Sequence, residues 1–160
     1  KKRELKDTDL IEVTEMSIET MKPDADARGI EITANTPEEL HLNADRSELE
    51  IILNNLLSNA VKYNRDDGTV TVKLTEREKD IEIQVTDTGI GMTKEEVDKL
   101  FGEFVRIKND KTRNILGSGL GLSILRKTTA LYGGEVKVTS IPDQGSTFTV
   151  TLDKEYDDGE

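Results

Sequence analysis

Apolar residues recur at helical spacing in three stretches of the chain, and each stretch has start or stop signals of its own. The first is predicted to end near Gly29, although Pro23 could interrupt it. The second follows Asp45, which stands three residues before Glu48 in the spacing of a capping box. The third stops at Gly133. The predicted helices are residues 9–28, 45–63 and 120–131.

Alternating apolar and polar positions predict the strands. Two of these segments flank a charged turn and should pair as an antiparallel hairpin, residues 70–74 with 81–85. The other predicted strands are residues 30–34, 40–43, 136–138 and 148–152. Thr93 and Glu96 form a second capping box, which opens a short helix through Leu100, whereas residues 102–119 have no apolar period. The element order predicts an α+β fold, a two-layer α/β sandwich with helices on one face of a mixed, mostly antiparallel sheet.

Composition narrows the class of protein. The 160 residues suit one domain, and the hydrophobic content of 34% with 4% aromatic residues implies a core of Leu, Ile and Val. The net charge of -11 argues against nucleic-acid binding, and no run approaches the about 20 apolar residues of a membrane span. The absence of cysteine fits a reducing compartment, so a cytoplasmic domain is expected. The chain opens at Lys1 without an initiator Met, so we expect a fragment of a larger protein.

Two carboxamides and a lysine interrupt the second predicted helix. Asn55 and Asn59 are one turn apart, and Lys62 follows on the same stripe, while the opposite face is apolar. Mg2+ is commonly held by a few protein oxygens together with substrate phosphates. This stripe therefore predicts a magnesium and polyphosphate site; the alternative is that the Asn residues are solvated or capping residues.

The predicted strand at 81–85 ends in the motif Asp87-Thr-Gly89-Ile-Gly91. Glycines allow close approach of the backbone to a ligand, and a carboxylate there can accept a hydrogen bond from an exocyclic amine. Adenine carries such an amine, whereas guanine presents a carbonyl at that place. The alternative is an Asx turn in which Asp87 bonds its own backbone.

A second glycine motif, residues 117–122, opens directly into a predicted helix, where backbone N–H groups and the helix dipole can hold phosphate oxygens. It is neither a dinucleotide fingerprint nor a P-loop. The stretch between the glycine motifs holds two aromatic residues followed by Arg106, which could reach a terminal phosphate. The alternatives are a plain glycine-rich helix entry and core packing by Phe101 and Phe104.

Five motifs in order resemble those of the ATP-binding catalytic domain of bacterial sensor histidine kinases, within the GHKL ATPase superfamily. Residues 55–63 resemble its N box, 87–91 and 117–122 its glycine boxes, 101–106 its F box and 145–148 its last glycine turn. The resemblance covers about residues 9–152. The F box departs from the commoner pattern because Gly102 stands in place of a glutamate.

This resemblance implies the Bergerat fold, with ATP and Mg2+ held between the Asn-bearing helix and a lid formed by the unpatterned stretch. Asn55 and Asn59 would bind the metal, Asp87 would read the adenine amine, and Lys62 and Arg106 would be catalytic. The implied nucleotide-binding residues are Asn55, Asn59, Lys62, Tyr63, Asp87, Gly89, Gly91, Arg106, Gly117, Ser118, Gly119, Leu120, Gly121, Leu122 and Thr147.

The resemblance also implies a histidine kinase that transfers the γ-phosphoryl group of ATP to a histidine on a separate helical dimerisation domain, which this chain lacks. A response regulator would be an indirect partner, and the chain alone is expected to be monomeric. His41, the only histidine, lies in a predicted strand without an adjacent acid and is expected to be structural. The alternatives are another GHKL ATPase and a nucleotide-gated protein-binding module without kinase turnover.

Overall fold

Apart from one additional strand at the start, helices and strands follow the predicted order in the part of the chain that the computed structural model describes, residues 2–99 and 120–157. The elements are β1 (Lys6–Asp9), α1 (Leu10–Asp26), β2 (Glu31–Asn35), β3 (His41–Ala44), α2 (Arg46–Lys62), β4 (Thr69–Glu76), β5 (Asp80–Asp87), α3 (Lys94–Lys99), α4 (Leu120–Ala130), β6 (Glu135–Ile141) and β7 (Gly145–Asp153). Among these helices, none is long and apolar enough to cross a membrane.

Five strands form one mixed sheet in the order β2-β4-β5-β7-β6. The β2–β4 pair is parallel, and the other three pairs are antiparallel. The predicted hairpin is β4–β5, in which Val72 lies opposite Val85. The prediction of a mixed, mostly antiparallel sheet is confirmed.

The two faces of this sheet differ sharply in chemistry. Alternate residues of β4, β5 and β7 are buried on the face that packs against α2 and α4, among them Val72, Val85 and Val150. The opposite face is polar, and one cross-strand row on it carries a threonine from every strand. These threonines are Thr33, Thr71, Thr86, Thr147 and Thr139. The burial of one face only is what makes the fold a two-layer sandwich.

Two local features differ from the sequence prediction. Strand β1 was not predicted, because its residues lack apolar alternation; it forms by antiparallel pairing with β3. The hydroxyl of Thr8 is buried there and donates to carbonyl oxygens of Lys6 and Ala44 at 2.9 and 3.1 Å. Pro23 does not interrupt α1, which continues to Asp26. Helix α1 begins at the predicted place, with Asp9 as its N-cap.

The start of α2 is held by residues from distant parts of the chain. Asp45 caps the helix, and its Oδ1 accepts from the Ser47 N–H at 2.9 Å. The Asp45 N–H donates to the Tyr132 hydroxyl at 3.0 Å, and that hydroxyl donates to Glu48 Oε1 at 2.6 Å. Arg3 completes the cluster through a forked contact with the Glu48 carboxylate. In the predicted capping box, the Glu48 side chain would bond directly to the Asp45 N–H. The Tyr132 hydroxyl instead lies between these two groups and bonds to both.

We expect Tyr132→Phe to destabilise the fold by about 1 to 3 kcal/mol, because it leaves the buried Asp45 N–H and the Glu48 carboxylate without this partner. The Tyr132 side chain is 0% exposed, so water cannot take the place of the hydroxyl. Tyr156→Phe is the control, since its hydroxyl donates to the carbonyl of an exposed strand residue, Asn43. Urea unfolding measures both; equal losses would contradict the role of Tyr132.

Candidate functional site

The amide stripe of α2 lies along the border between the buried face of the helix and solvent. Asn55 and Asn59 are half-buried, and Lys62 is exposed at the last position of the helix. The Asn55 Nδ2 donates to the Ile51 carbonyl at 2.7 Å, which leaves its Oδ1 as an acceptor. No described residue bonds to the carboxamide of Asn59. The stripe thus offers two amide oxygens and one cation to a ligand.

Asn54, next to this stripe in sequence, has a different partner. Its Oδ1 accepts a hydrogen bond from the Ser17 hydroxyl on α1, so it belongs to the contact between α1 and α2. The three asparagines of the helix are therefore divided between a structural face and a face open to a ligand. Among the described residues, no group of three His, Cys, Asp or Glu side chains could hold a metal. A cation at α2 would consequently need ligand oxygens from a bound phosphate.

Asp87 is a buried carboxylate at the end of β5, where its side chain is on the face that packs against the helices. The residue is 6% exposed. Its Oδ1 accepts from the backbone N–H groups of Gly89 at 2.8 Å and Ser146 at 3.2 Å. No described residue donates to Oδ2. Burial raises the pKa of Asp87 to about 6, and the two backbone hydrogen bonds act in the opposite direction. One oxygen is thus fixed, and the other can accept from a ligand.

The loop after β5 packs directly on the end of α2. The Ile90 N–H donates to the Tyr63 carbonyl at 3.1 Å. A Cβ atom on Gly89 would lie 2.2 Å from that same carbonyl oxygen, so only glycine allows this contact. The structure therefore brings together Asp87 and the end of the amide stripe, which are separated by 24 residues or more in sequence. The arrangement fits a ligand that carries a base at one end and phosphates at the other.

The same loop is fixed on its other side by the β6–β7 turn. Gly91 has φ +66°, and a Cβ there would lie 1.9 Å from the Ile141 carbonyl oxygen. The Ile90 carbonyl accepts from the Asp143 N–H at 2.7 Å, and the Met92 N–H donates to Ser140 Oγ at 2.7 Å. Both glycines of the first motif are thus required by close packing between backbone segments.

Thr147 is not brought together with Asp87. It lies opposite Thr86 on the outer, polar face of the sheet, and the two hydroxyl oxygens are 3.1 Å apart. Ser146 lies opposite Asp87 on the inner face, donates to it through its N–H, and has its hydroxyl 2.7 Å from that of Ser140. Strand alternation could have predicted this placement, because residues 146 and 148 are two apart and therefore lie on the same, buried face of the strand.

The second glycine motif and the F box fall mostly outside the described residues. Arg106, Gly117, Ser118 and Gly119 lie there, as does the expected lid. Leu120 and Gly121 begin α4, and Leu122 packs its side chain into the core. Their expected contacts with phosphates stay predictions.

Asn64 is a residue near the site that none of the predicted motifs includes. Its side chain is buried; Nδ2 donates to the Thr69 carbonyl at 3.0 Å, and Oδ1 accepts from the Thr88 hydroxyl at 3.2 Å. Asn64 thus ties the turn after α2 to the residue that follows Asp87. Its position directly after the N-box residues 55–63 is the sequence feature that could have indicated this role.

The expectation that His41 has no acidic neighbour is wrong. Its Nδ1 lies 3.1 Å from Asp7 Oδ2, which comes from the unpredicted strand β1. Both side chains are exposed. His41 is the first residue of β3, the strand that ends just before the N-cap of α2, whereas Lys62 is the last residue of that helix. The 17 residues of α2 extend over about 25 Å.

Comparisons with known proteins show the family of this chain. The profile of a protein family described as histidine kinase-, DNA gyrase B- and HSP90-like ATPases matches residues 44–156, more than half of the chain. Sensor histidine kinase WalK of Bacillus subtilis is 36% identical over 126 residues, which are 77% of this chain and 21% of WalK. The chain thus spans about a fifth of that relative's length.

Solved structures give the same fold. The nucleotide-free catalytic domain of histidine kinase ThkA has a TM-score of 0.82 at 22% identity, and the match covers 96% of this chain and 99% of that domain. Full-length ShkA, solved in complex with AMPPNP, has a TM-score of 0.83 at 28% identity, over 99% of this chain and 33% of ShkA. The predicted fold class is thereby confirmed.

We expect the nucleotide-free Asp87→Asn variant to be more stable than the wild type at pH 7.5, by about 3 kcal/mol. The pKa of Asp87 is raised from 3.8 to about 6 in the folded state. The protonated carboxyl therefore contributes fully to the free energy of unfolding below pH 4, and this contribution is lost as the pH rises through 6. The two proteins should have similar stability at pH 4. Urea unfolding at both pH values measures the difference.

Asp24→Asn, which alters an exposed carboxylate on α1, is the control for this measurement and should keep the pH dependence of the wild type. If the wild type and Asp87→Asn showed the same dependence on pH, the Asp87 carboxylate would not carry the cost of burial described above.

Proposed function

Because this chain belongs to the family of histidine kinase-, DNA gyrase B- and HSP90-like ATPases, we propose that it binds ATP with Mg2+ and donates the γ-phosphoryl group to a histidine of another domain. The observation that carries this proposal is the buried Asp87 carboxylate, in which backbone N–H groups bond to one oxygen and no described residue donates to the other. The loop that follows Asp87 packs against the end of α2, next to the amide stripe. The AMPPNP in full-length ShkA supports a nucleotide as the ligand.

Adenine is the base that this carboxylate fits. The open oxygen of ionised Asp87 is an acceptor, and the exocyclic amine of adenine is a donor. Guanine would present its carbonyl oxygen to the same carboxylate, so two acceptors would meet in a buried place. We assign to Ser146, which lies opposite Asp87 on the same face, the role at the base that the resemblance gave to Thr147.

The amide stripe would hold the metal and the phosphates. Asn55 and Asn59 supply neutral oxygens, and Lys62 supplies a cation that would face the phosphate chain. Bound Mg2+ neutralises phosphate charge, and positioning with charge neutralisation accounts for most of the catalysis in phosphoryl transfer. We assign Arg106 to the γ-phosphate and the second glycine motif to the phosphate chain on the resemblance alone, since these residues lie outside the described ranges.

The acceptor histidine would come from a helical dimerisation domain of a longer protein, and a response regulator would act downstream. We do not expect His41 to be the acceptor, because it lies on β3, the strand before the N-cap of α2, whereas the proposed phosphate site is at the other end of that helix. In this proposal the chain is a phosphoryl donor module that acts on a histidine it does not contain. It would be monomeric in isolation and would function in the cytoplasm.

The test has two stages, beginning with binding of Mg-ATP to the chain by calorimetry. The wild type should bind, and Asp87→Asn should lose about tenfold or more in affinity, because the amide can present a donor to the adenine amine. GTP should bind more weakly than ATP. Unchanged ATP affinity in the folded Asp87→Asn variant would overturn the assignment of the base site.

The second stage is transfer from radioactive ATP to an added histidine-containing dimerisation domain of a sensor histidine kinase. Acid-labile phosphate is expected on the added domain and not on the chain alone, with His41→Gln as a variant that still transfers. Binding without any transfer would favour the nucleotide-gated module, and label on His41 would contradict the donor-only proposal.

Asn59→Ala should weaken Mg-ATP by about tenfold or more and metal-free ADP by much less, because a metal ligand is lost and no described residue is placed to replace it. Asn54→Ala is the matched control, since it removes a carboxamide that faces α1 on the same helix. Titrations with and without Mg2+ make the comparison. Equal weakening of both ligands by Asn59→Ala would exclude the metal role.

A further inference from the structure

Arg28 lies between α1 and β2, outside every motif, yet its guanidinium reaches the end of α2. Nη1 donates to the carbonyl oxygens of Val61 at 2.6 Å and Lys62 at 3.4 Å, and Nη2 donates to the carbonyl oxygen of Asn64. Nε donates to Asp66 at 3.0 Å. One side chain therefore satisfies carbonyl groups in the last turn of the helix and just beyond it.

The chemistry of a helix end explains why an arginine suits this place. The last carbonyl groups of an α-helix lack intrahelical partners, and the negative end of the helix dipole is located there. A guanidinium can bond to several of these carbonyl groups, because it presents its donors in a fixed fork, and its permanent positive charge interacts favourably with the negative end of the dipole. The Arg28 backbone is itself fixed, since its carbonyl accepts from the Asp67 N–H at 2.9 Å and Gly29 turns the chain at φ +68°.

Arg28 bonds to carbonyl groups on both sides of the Tyr63 carbonyl, and the loop of residues 88–91 packs on that same carbonyl. Tyr63 lies between Lys62 and Asn64, and its carbonyl accepts the Ile90 N–H and contacts Gly89. Gly89 in turn donates to Asp87 Oδ1. A short path of backbone contacts thus joins the Arg28 guanidinium to the carboxylate that would read the base.

We propose that Arg28 is a positioning residue of the nucleotide site, which sets the last turn of α2 against the loop that carries Asp87 and Gly89. The inference rests on the proposed nucleotide binding but names a residue that none of the motifs includes. Arg28 acts through Tyr63 and its neighbours and makes no contact with the nucleotide. Loss of the Arg28 side chain should therefore weaken the binding of ATP and ADP equally. Both ligands contain adenine, and Arg28 makes no contact with the γ-phosphate that only ATP carries.

The experiment compares Arg28→Ala and Arg28→Lys with Arg46→Ala. Arg46 is the matched control: its side chain is 33% exposed, as is that of Arg28, and it makes ion pairs with Glu12 and Glu50 at the opposite end of the same helix. Binding of ATP and ADP, exchange of the Ile90 amide, and KM and kcat for transfer to an added histidine domain are measured at a temperature where all variants are folded.

Arg28→Ala is expected to weaken ATP and ADP alike by about tenfold, to raise KM with little change in kcat, and to speed exchange at Ile90 while the amide of Ile83 in β5 stays protected. Arg28→Lys keeps the charge without the fork and should restore only part of the affinity. Arg46→Ala should match the wild type in each measurement.

The outcomes separate this inference from the function on which it rests. A wild type that fails to bind ATP would defeat the proposed function itself. A wild type that binds, with unchanged affinity and Ile90 protection in Arg28→Ala, would overturn the role of Arg28. Loss of ATP affinity alone, restored fully by Arg28→Lys, would also overturn it, because the effect would then be one of charge on the phosphates.

Discussion

The contact between the end of α2 and the loop after β5 is the constraint on which the rest of the site depends. One carbonyl, that of Tyr63, accepts the Ile90 N–H and leaves no room for a side chain on Gly89. This contact joins the amide stripe, which suits a metal and phosphates, to the buried carboxylate, which suits a base. Without it, the two halves of the candidate site would lie on separate elements with no fixed distance between them.

The buried carboxylate shows how function and stability oppose each other here. Asp87 continues the row of buried apolar residues of β5, Ile81, Ile83 and Val85, and burial raises its pKa to about 6. Two backbone N–H groups offset part of the cost, but one oxygen has no donor among the described residues. A carboxylate in this environment can accept a hydrogen bond from a ligand, and its ionisation lowers the stability of the domain at neutral pH.

Helix α2 carries the amide stripe, and both of its ends are held by residues remote in sequence. At its start, Tyr132 takes a place in the capping box, and Arg3 binds the same glutamate as Tyr132. At its end, Arg28 holds the free carbonyl groups. Caps of this kind orient a helix as well as stabilise it, because each bond has a preferred direction. The side chains on the helix are thereby placed relative to the sheet.

Local patterns in the sequence were enough to predict the helices, the β4–β5 hairpin and the glycine loop after Asp87. Helical and strand periods are properties of neighbouring residues, and motif order carried the family assignment. These predictions concern interactions within about one turn or one hairpin, for which sequence spacing is a direct guide to distance in space.

Tertiary structure alone decided which remote residues meet. Strand β1 exists only because β3 pairs with it, and that pairing places Asp7 beside His41. Arg28 follows α1 and belongs to no motif, yet its side chain bonds to the end of α2. Register decides that Ser146 and not Thr147 lies opposite Asp87, since a shift of one residue exchanges the two faces of a strand. Spacing in sequence fixes none of these contacts, because each depends on how separate elements pack together.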